Sequence, residues 1–176
     1  MVDEDERARL ERIVAIACDH GGFALKEALK VALPDVKWLD LGTNSADSVD
    51  YPDFAGKLAD AIKAGKAGRG ILICGSGIGI SIAANRHAHI RCALAHDVTG
   101  ARLCRQHNDA NVLAMGGRMI GEAVAKECVE VFLSTKFDGG RHQKRVHKLG
   151  SWQRVASGES PINQTLSVPI GVLPRA

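Results

Sequence analysis

The chain predicts an α/β fold, a three-layer α/β/α sandwich built on a mainly parallel sheet of about five strands. Short β-branched runs alternate with segments of helical spacing along most of its length. The strand-like runs are almost continuously apolar, as expected of a sheet covered on both faces. Polar and titratable residues gather just past the end of each run, where such a sheet places its ligand.

In chain order, "IVAIAC" (13–18) reads as the first strand and "FALKEALKVAL" (23–33), with helical spacing, as the helix after it. "VKWLDL" (36–41) is the second strand, followed by a polar connection and the helical "DFAGKLADAIKAG" (53–65). "GILICG" (70–75) is the third, leading through glycines into the short helical "GISIAAN" (79–85). "IRCALA" (90–95) precedes the helical "VTGARLCRQH" (98–107), and "NVLAMG" (111–116) precedes "GEAVAKECVEVFLST" (121–135). A Rossmann-like sheet of this kind directs attention to the strand ends: "CDHGG" (18–22), "LGTNSADSVDYPDF" (41–54), "CGSGIG" (74–79), "HD" (96–97) and "GGRMIG" (116–121).

With 176 residues and 45% apolar content, one buried domain is expected. Its bounds are read as 13–150, between a charged N-terminal extension (1–12) and a tail (151–176) punctuated by Pro, Ser and Gly. That tail is expected to be either an ordered arm on a neighbouring subunit or a flexible segment, and Trp152, Val168, Ile170, Val172 and Leu173 favour docking. The net charge of +3 is dispersed, which argues against a nucleic-acid partner; the one basic concentration is "GGRHQKRVHK" (139–148). The opening "MVDEDERARLER" is unlike a secretory signal, and no apolar run approaches the roughly twenty residues of a membrane span. A soluble, cytoplasmic protein is expected, with its five scattered cysteines reduced.

The loop "CGSGIG" lets the backbone approach a ligand closely and offers N–H groups to an anion or oxyanion. Asp97 lies where a dinucleotide-binding fold places its ribose-binding acid, but such a fold wants Gly or Ala at position 80, where Ile80 stands. A cysteine phosphatase loop would want arginine there. Cys74 is either a small hydrophobe ending a buried strand or a thiolate beside loop amides, and adjacency to the glycines tilts towards the second. His87, His89 and His96 read as structural or surface residues, whereas His20 and His107 lie in polar strand-end and helix-end contexts. The pairs Cys18/His20 and His87/His89 lack a second pair at ligand spacing, so no metal is expected. Arg141 and Arg145 share one helix face, as a phosphate grip or as a solvated helix end.

Together "ACDHGGFALK", "DYPDFA", "CGSGIGISIAANR", "RQHNDANVLAMGGRMIG" and "GGRHQKRV" occur in the order and spacing of the ribose-5-phosphate isomerase B family, which also holds galactose-6-phosphate isomerase subunits, and the chain resembles it over about 13–150. The resemblance implies interconversion of ribose 5-phosphate and ribulose 5-phosphate through an enediolate, without cofactor or metal. It implies Cys74 as the base, since Ile80 stands where another branch carries a glutamate. Ser76 would relay a proton between sugar oxygens, and the amides of Gly75, Ser76, Gly77, Ile78 and Gly79 would face the enediolate oxygen. By the same resemblance His107 opens the furanose ring, with Asp19 and Asn108 positioning hydroxyls. His20, Arg118, Arg141 and Arg145 contact the phosphate, and Tyr51 lines the pocket. A homodimer with the site at its interface is implied, or a dimer of dimers. The alternatives are an isomerase of allose or galactose 6-phosphate and a non-catalytic nucleotide- or sugar-phosphate-binding module.

Overall fold

The computed structural model describes residues 13–155, so the extension 1–12 and the rest of the tail lie outside the described residues. Five strands, β1 (Ile13–Cys18), β2 (Lys37–Asp40), β3 (Arg69–Cys74), β4 (Cys92–Leu94) and β5 (Val112–Gly116), form one sheet in the order β2-β1-β3-β5-β4. Every pairing is parallel. The helices are α1 (Phe23–Ala32), α2 (Tyr51–Lys63), α3 (Ile78–Ala84), α4 (Val98–Asn108), α5 (Glu122–Ser134) and α6 (Arg141–Val155). The last continues past residue 150, so a helix crosses the expected end of the domain.

Crossover handedness explains the layers. In this strand order β1→β2 and β4→β5 step one way along the sheet, whereas β2→β3 and β3→β4 step the other. Right-handed crossovers therefore put α1 and α4 on one face and α2 and α3 on the opposite face. The core divides accordingly. Val14, Ile16, Ile71, Ile73, Leu113 and Met115 meet α1, α4 and α5, while Ala15, Ala17, Leu72, Cys74, Val112 and Ala114 meet α2 and α3. Successive strand residues point to opposite faces, so continuous apolar runs fill both cores. On the α2 side the small Ala15, Ala17, Ala55 and Ala59 allow close packing, and a Cβ on Gly70 would come within 2.6 Å of Leu58 Cδ2.

β4 is shorter than the run "IRCALA" predicts. It is the sheet edge beside β5, and the Asn85 amide occupies its start: Cys92 N–H donates to Asn85 Oδ1 at 2.9 Å and Asn85 Nδ2 donates to Cys92 O at 2.8 Å. A side-chain amide standing in for a neighbouring strand satisfies that edge.

Candidate active site

Cys74 ends β3, the central strand, and the chain leaves β3 towards one face while leaving β1 and β5 towards the other. The C-terminal end of β3 is thus flanked by crevices on both sides, the place where parallel sheets bind ligands. Glycines bring the three loops together. A Cβ on Gly21 would lie 2.9 Å from Gly75 N, and one on Gly117 would lie 2.6 Å from Gly21 O. Asp19 N–H donates to Ile73 O, Gly117 N–H to Cys74 O and Arg118 N–H to Gly75 O, at 3.2, 2.8 and 3.0 Å. The backbone there is a rigid floor under any ligand.

Cys74 is 4% exposed, and Gly77 N–H donates to its Sγ at 3.1 Å. Gly77 has φ 78, a left-handed conformation that glycine adopts without penalty. Its amide and that of Ile78, which donates to Ser76 Oγ at 3.2 Å, are engaged within the loop. Two of the five amides expected to face the enediolate oxygen are thus already engaged inside the loop. Burial pushes the thiols of Cys18 and Cys104 up to about 11 and that of Cys92 up to about 12, and raises that of Cys128.

Around this floor stand Asp19, His20, Tyr51 and Arg118. Asp19 is buried, and its Oδ1 accepts from the N–H groups of Gly21 (2.9 Å) and Gly22 (3.2 Å), fixing the turn after β1. His20 Nδ1 lies 3.2 Å from Val49 N and 3.3 Å from Val49 O, so the Val49 backbone anchors the imidazole ring. The Tyr51 ring lies on Gly79, where a Cβ would approach its Cζ to 2.7 Å. Arg118 packs its guanidinium over Gly75, is exposed, and forms no ion pair among the described residues.

The remaining expected residues are elsewhere in the chain. α4 starts at the C-terminal end of β4 and runs back beside the sheet, so His107 and Asn108 in its last turn lie near the opposite pole, about 16 Å along the helix. α6 packs there too: the His107 and His142 rings stack with centroids 4.3 Å apart and planes 6° from parallel. Arg141 and Arg145, both exposed, belong to this second group. Within one chain, therefore, Cys74, Ser76, Asp19, His20, Tyr51 and Arg118 come together, whereas His107, Asn108, Arg141 and Arg145 form a separate cluster.

Two histidines gain contacts that the sequence reading did not give them. His142 is buried; burial, then the His107 ring and the Arg141 and Arg145 guanidinium groups, hold it below the usual imidazole range, with Asp138 opposing. His107, Asp138 and His142 present ligand atoms within 4.8 Å of one another. The stacked rings direct their in-plane lone pairs along parallel planes, which does not suit one shared ion. His96 places Nε2 3.2 Å from Ser76 O. The "HD" at the end of the fourth apolar run was the signal for it. Ile80, by contrast, is fully buried against the sheet.

A family model described as Ribose/Galactose Isomerase matches residues 14–149. Ribose-5-phosphate isomerase B of Escherichia coli (strain K12) is 46% identical over 138 residues, 77% of this chain and 93% of that protein. A putative sugar phosphate isomerase of Bacillus subtilis (strain 168) is 47% identical over 143 residues, 80% of this chain and 96% of that one. Among solved structures, ribose-5-phosphate isomerase B of Clostridium thermocellum superposes with a TM-score of 0.80 at 44% identity, covering 82% of this chain and 99% of that chain. The Thermotoga maritima enzyme gives 0.77 at 49% identity, with coverage of 79% and 97%.

Proposed function

Because this chain belongs to the ribose/galactose isomerase family, we propose that it is an aldose–ketose isomerase interconverting D-ribose 5-phosphate and D-ribulose 5-phosphate, with Cys74 as general base. The observation that carries the role of Cys74 is its place at the end of the central strand with the Gly77 N–H aimed at its sulfur. In the reaction the base takes the C2 proton, the C–H electron pair becomes the C1–C2 double bond, and the C1 carbonyl becomes the oxyanion of an enediolate. Return of the proton to C1, with the O2 proton moved to O1, gives the ketose. Donation of an N–H to sulfur stabilises the thiolate that such a step requires. The remaining amides of the loop, those of Gly75, Ser76 and Gly79, would face the oxyanion, and the Ser76 hydroxyl would serve the O1/O2 proton exchange.

The two clusters support a composite site in a homodimer. One chain supplies Cys74, Ser76, Asp19, His20, Tyr51 and Arg118. The second supplies His107 for ring opening, Asn108 for a hydroxyl, and Arg141 and Arg145 for the phosphate. Exposed Ile78, Leu94 and Met119 border the loop, and an apolar rim around a polar crevice favours a protein partner. Among the described residues no helix is long and apolar enough to cross a membrane. The free thiols at 18, 74, 92, 104 and 128 support a reducing, cytoplasmic setting.

A coupled assay of the purified protein against ribose, allose and galactose phosphates tests the assignment. Ribose 5-phosphate is expected to give the highest kcat/KM, and Cys74→Ala to lower it at least about a hundredfold. A hexose phosphate turned over as well would overturn the substrate, and near-wild-type activity of Cys74→Ala would overturn the base.

A further inference from the structure

The peptide joining Ser76 to Gly77 is gripped at both ends. Its N–H, on Gly77, donates to Cys74 Sγ at 3.1 Å, and its C=O, on Ser76, lies 3.2 Å from His96 Nε2. A carbonyl only accepts, so His96 Nε2 carries the proton in this contact. One face of the peptide rests on the backbone of β5: a Cβ on Gly116 would fall 2.7 Å from the Ser76 carbonyl carbon, and one on Gly77 would fall 2.7 Å from that of Met115.

What keeps this peptide from turning over is not its own backbone. Gly77, at φ 78, can take either sign of φ, so no side chain of its own opposes a flip. A flipped peptide would point a carbonyl oxygen at the sulfur in place of an N–H, setting a negative dipole end against the group that must hold negative charge. It would also leave His96 without its acceptor. We propose that His96 is a positioning residue for Cys74, holding the Ser76–Gly77 peptide so that the Gly77 N–H stays aimed at the sulfur. The inference rests on Cys74 being the base. His96 follows the edge strand β4, is half-buried, and acts through the peptide, where hydrogen bonds in series strengthen one another.

Wild type, His96→Leu and His96→Gln are compared in two assays. One measures kcat and KM for ribose 5-phosphate. The other measures the rate at which iodoacetamide alkylates Cys74 at neutral pH, read from the modified peptide by mass spectrometry. His96→Leu is expected to lower kcat about tenfold and the alkylation rate by a similar factor, with KM within about twofold. His96→Gln, whose amide can donate to the same carbonyl, is expected to recover both to within about threefold of wild type. Wild-type alkylation of Cys74 in His96→Leu, a change in KM alone, or a Gln variant as impaired as the Leu variant overturns the proposal. If His96→Leu fails to fold by circular dichroism, His96→Asn, too short to reach the carbonyl, takes its place with the same expectations. Should the wild type isomerise no sugar phosphate, the functional reading falls, while the alkylation rates still decide whether His96 controls Cys74.

Discussion

Combining a chain that lacks Cys74 with one that lacks His107 asks directly whether a working site draws on two copies. Within one chain Cys74 ends β3 at one pole of the sheet, and α4 carries His107 about 16 Å back towards the other. A proton-transfer group must come within about 3 Å of the atom it serves, so the two residues of one chain cannot serve the same five-carbon substrate. In a two-fold dimer each site would pair Cys74 of one chain with His107 of the other. A mixed dimer of Cys74→Ala and His107→Ala chains then has one site with both defects and one with neither. Random association of equal amounts makes about half of the dimers mixed, so about a quarter of all sites are intact. Each variant alone is expected to retain about 1% of wild-type kcat/KM or less. The two are unfolded in guanidinium and refolded together, hybrid dimers are counted by native mass spectrometry, and isomerase activity is measured. Recovery to about a quarter of wild-type specific activity is expected. Hybrid dimers present in quantity with activity no higher than that of the separate variants would refute the composite site.

Gly77→Ala and Gly65→Ala separate backbone strain from steric conflict. Both glycines have positive φ, 78 and 69, but a Cβ at 65 meets nothing within 4 Å whereas one at 77 would lie 2.6 Å from Leu94 Cδ1. Gly65→Ala is expected to lower unfolding free energy by about 1 kcal/mol and Gly77→Ala by at least about 2 kcal/mol more, measured by urea denaturation; equal losses would contradict this. A second prediction concerns Asp40. Burial raises its pKa, but hydrogen bonds from Lys26 and Lys30 and from the Gly42 N–H outweigh it and leave the carboxyl below its usual range. A depressed folded-state pKa stabilises the fold above the unfolded value of about 3.9 and is lost as pH falls through the folded value. Wild type should therefore lose stability on acidification below about pH 4 more steeply than Asp40→Asn. At neutral pH Asp40→Asn should cost about 3 kcal/mol, because Lys26 is fully buried and is left with Glu27 Oε1, 3.0 Å away, as its remaining ion-pair partner.

Much of this molecule is legible in local pattern. The apolar runs at 13–18, 70–75 and 111–116 became β1, β3 and β5 almost residue for residue, because a strand buried on both faces has no polar residue to blur its limits. Ile80, just past the glycine loop, proves to be core. The run at 90–95 reaches beyond β4 at both ends: at its start the Arg91 N–H donates to the Asn111 side chain at 2.8 Å, a contact that no propensity encodes. The separation of His107 from Cys74 within one chain was written in the order of elements: in a parallel βα unit the end of the helix lies at the pole opposite the end of the strand. "RQHNDAN" closes a helix, whereas "CDHGG" and "CGSGIG" follow strands.

By itself the sequence determined the alternation of strand and helix, the glycine loop with its thiol, and the family to which those motifs belong, because each is a matter of residues close together in the chain. Only the tertiary structure decided which loops meet. Insertion of β5 between β3 and β4 sets Arg118 over Gly75 and the Ser76–Gly77 peptide on Met115 and Gly116, and the return of β4 to the edge brings His96 to Ser76 O. Those contacts join residues about twenty to forty positions apart, and they depend on strand order, which the hydrophobic period of a chain does not contain.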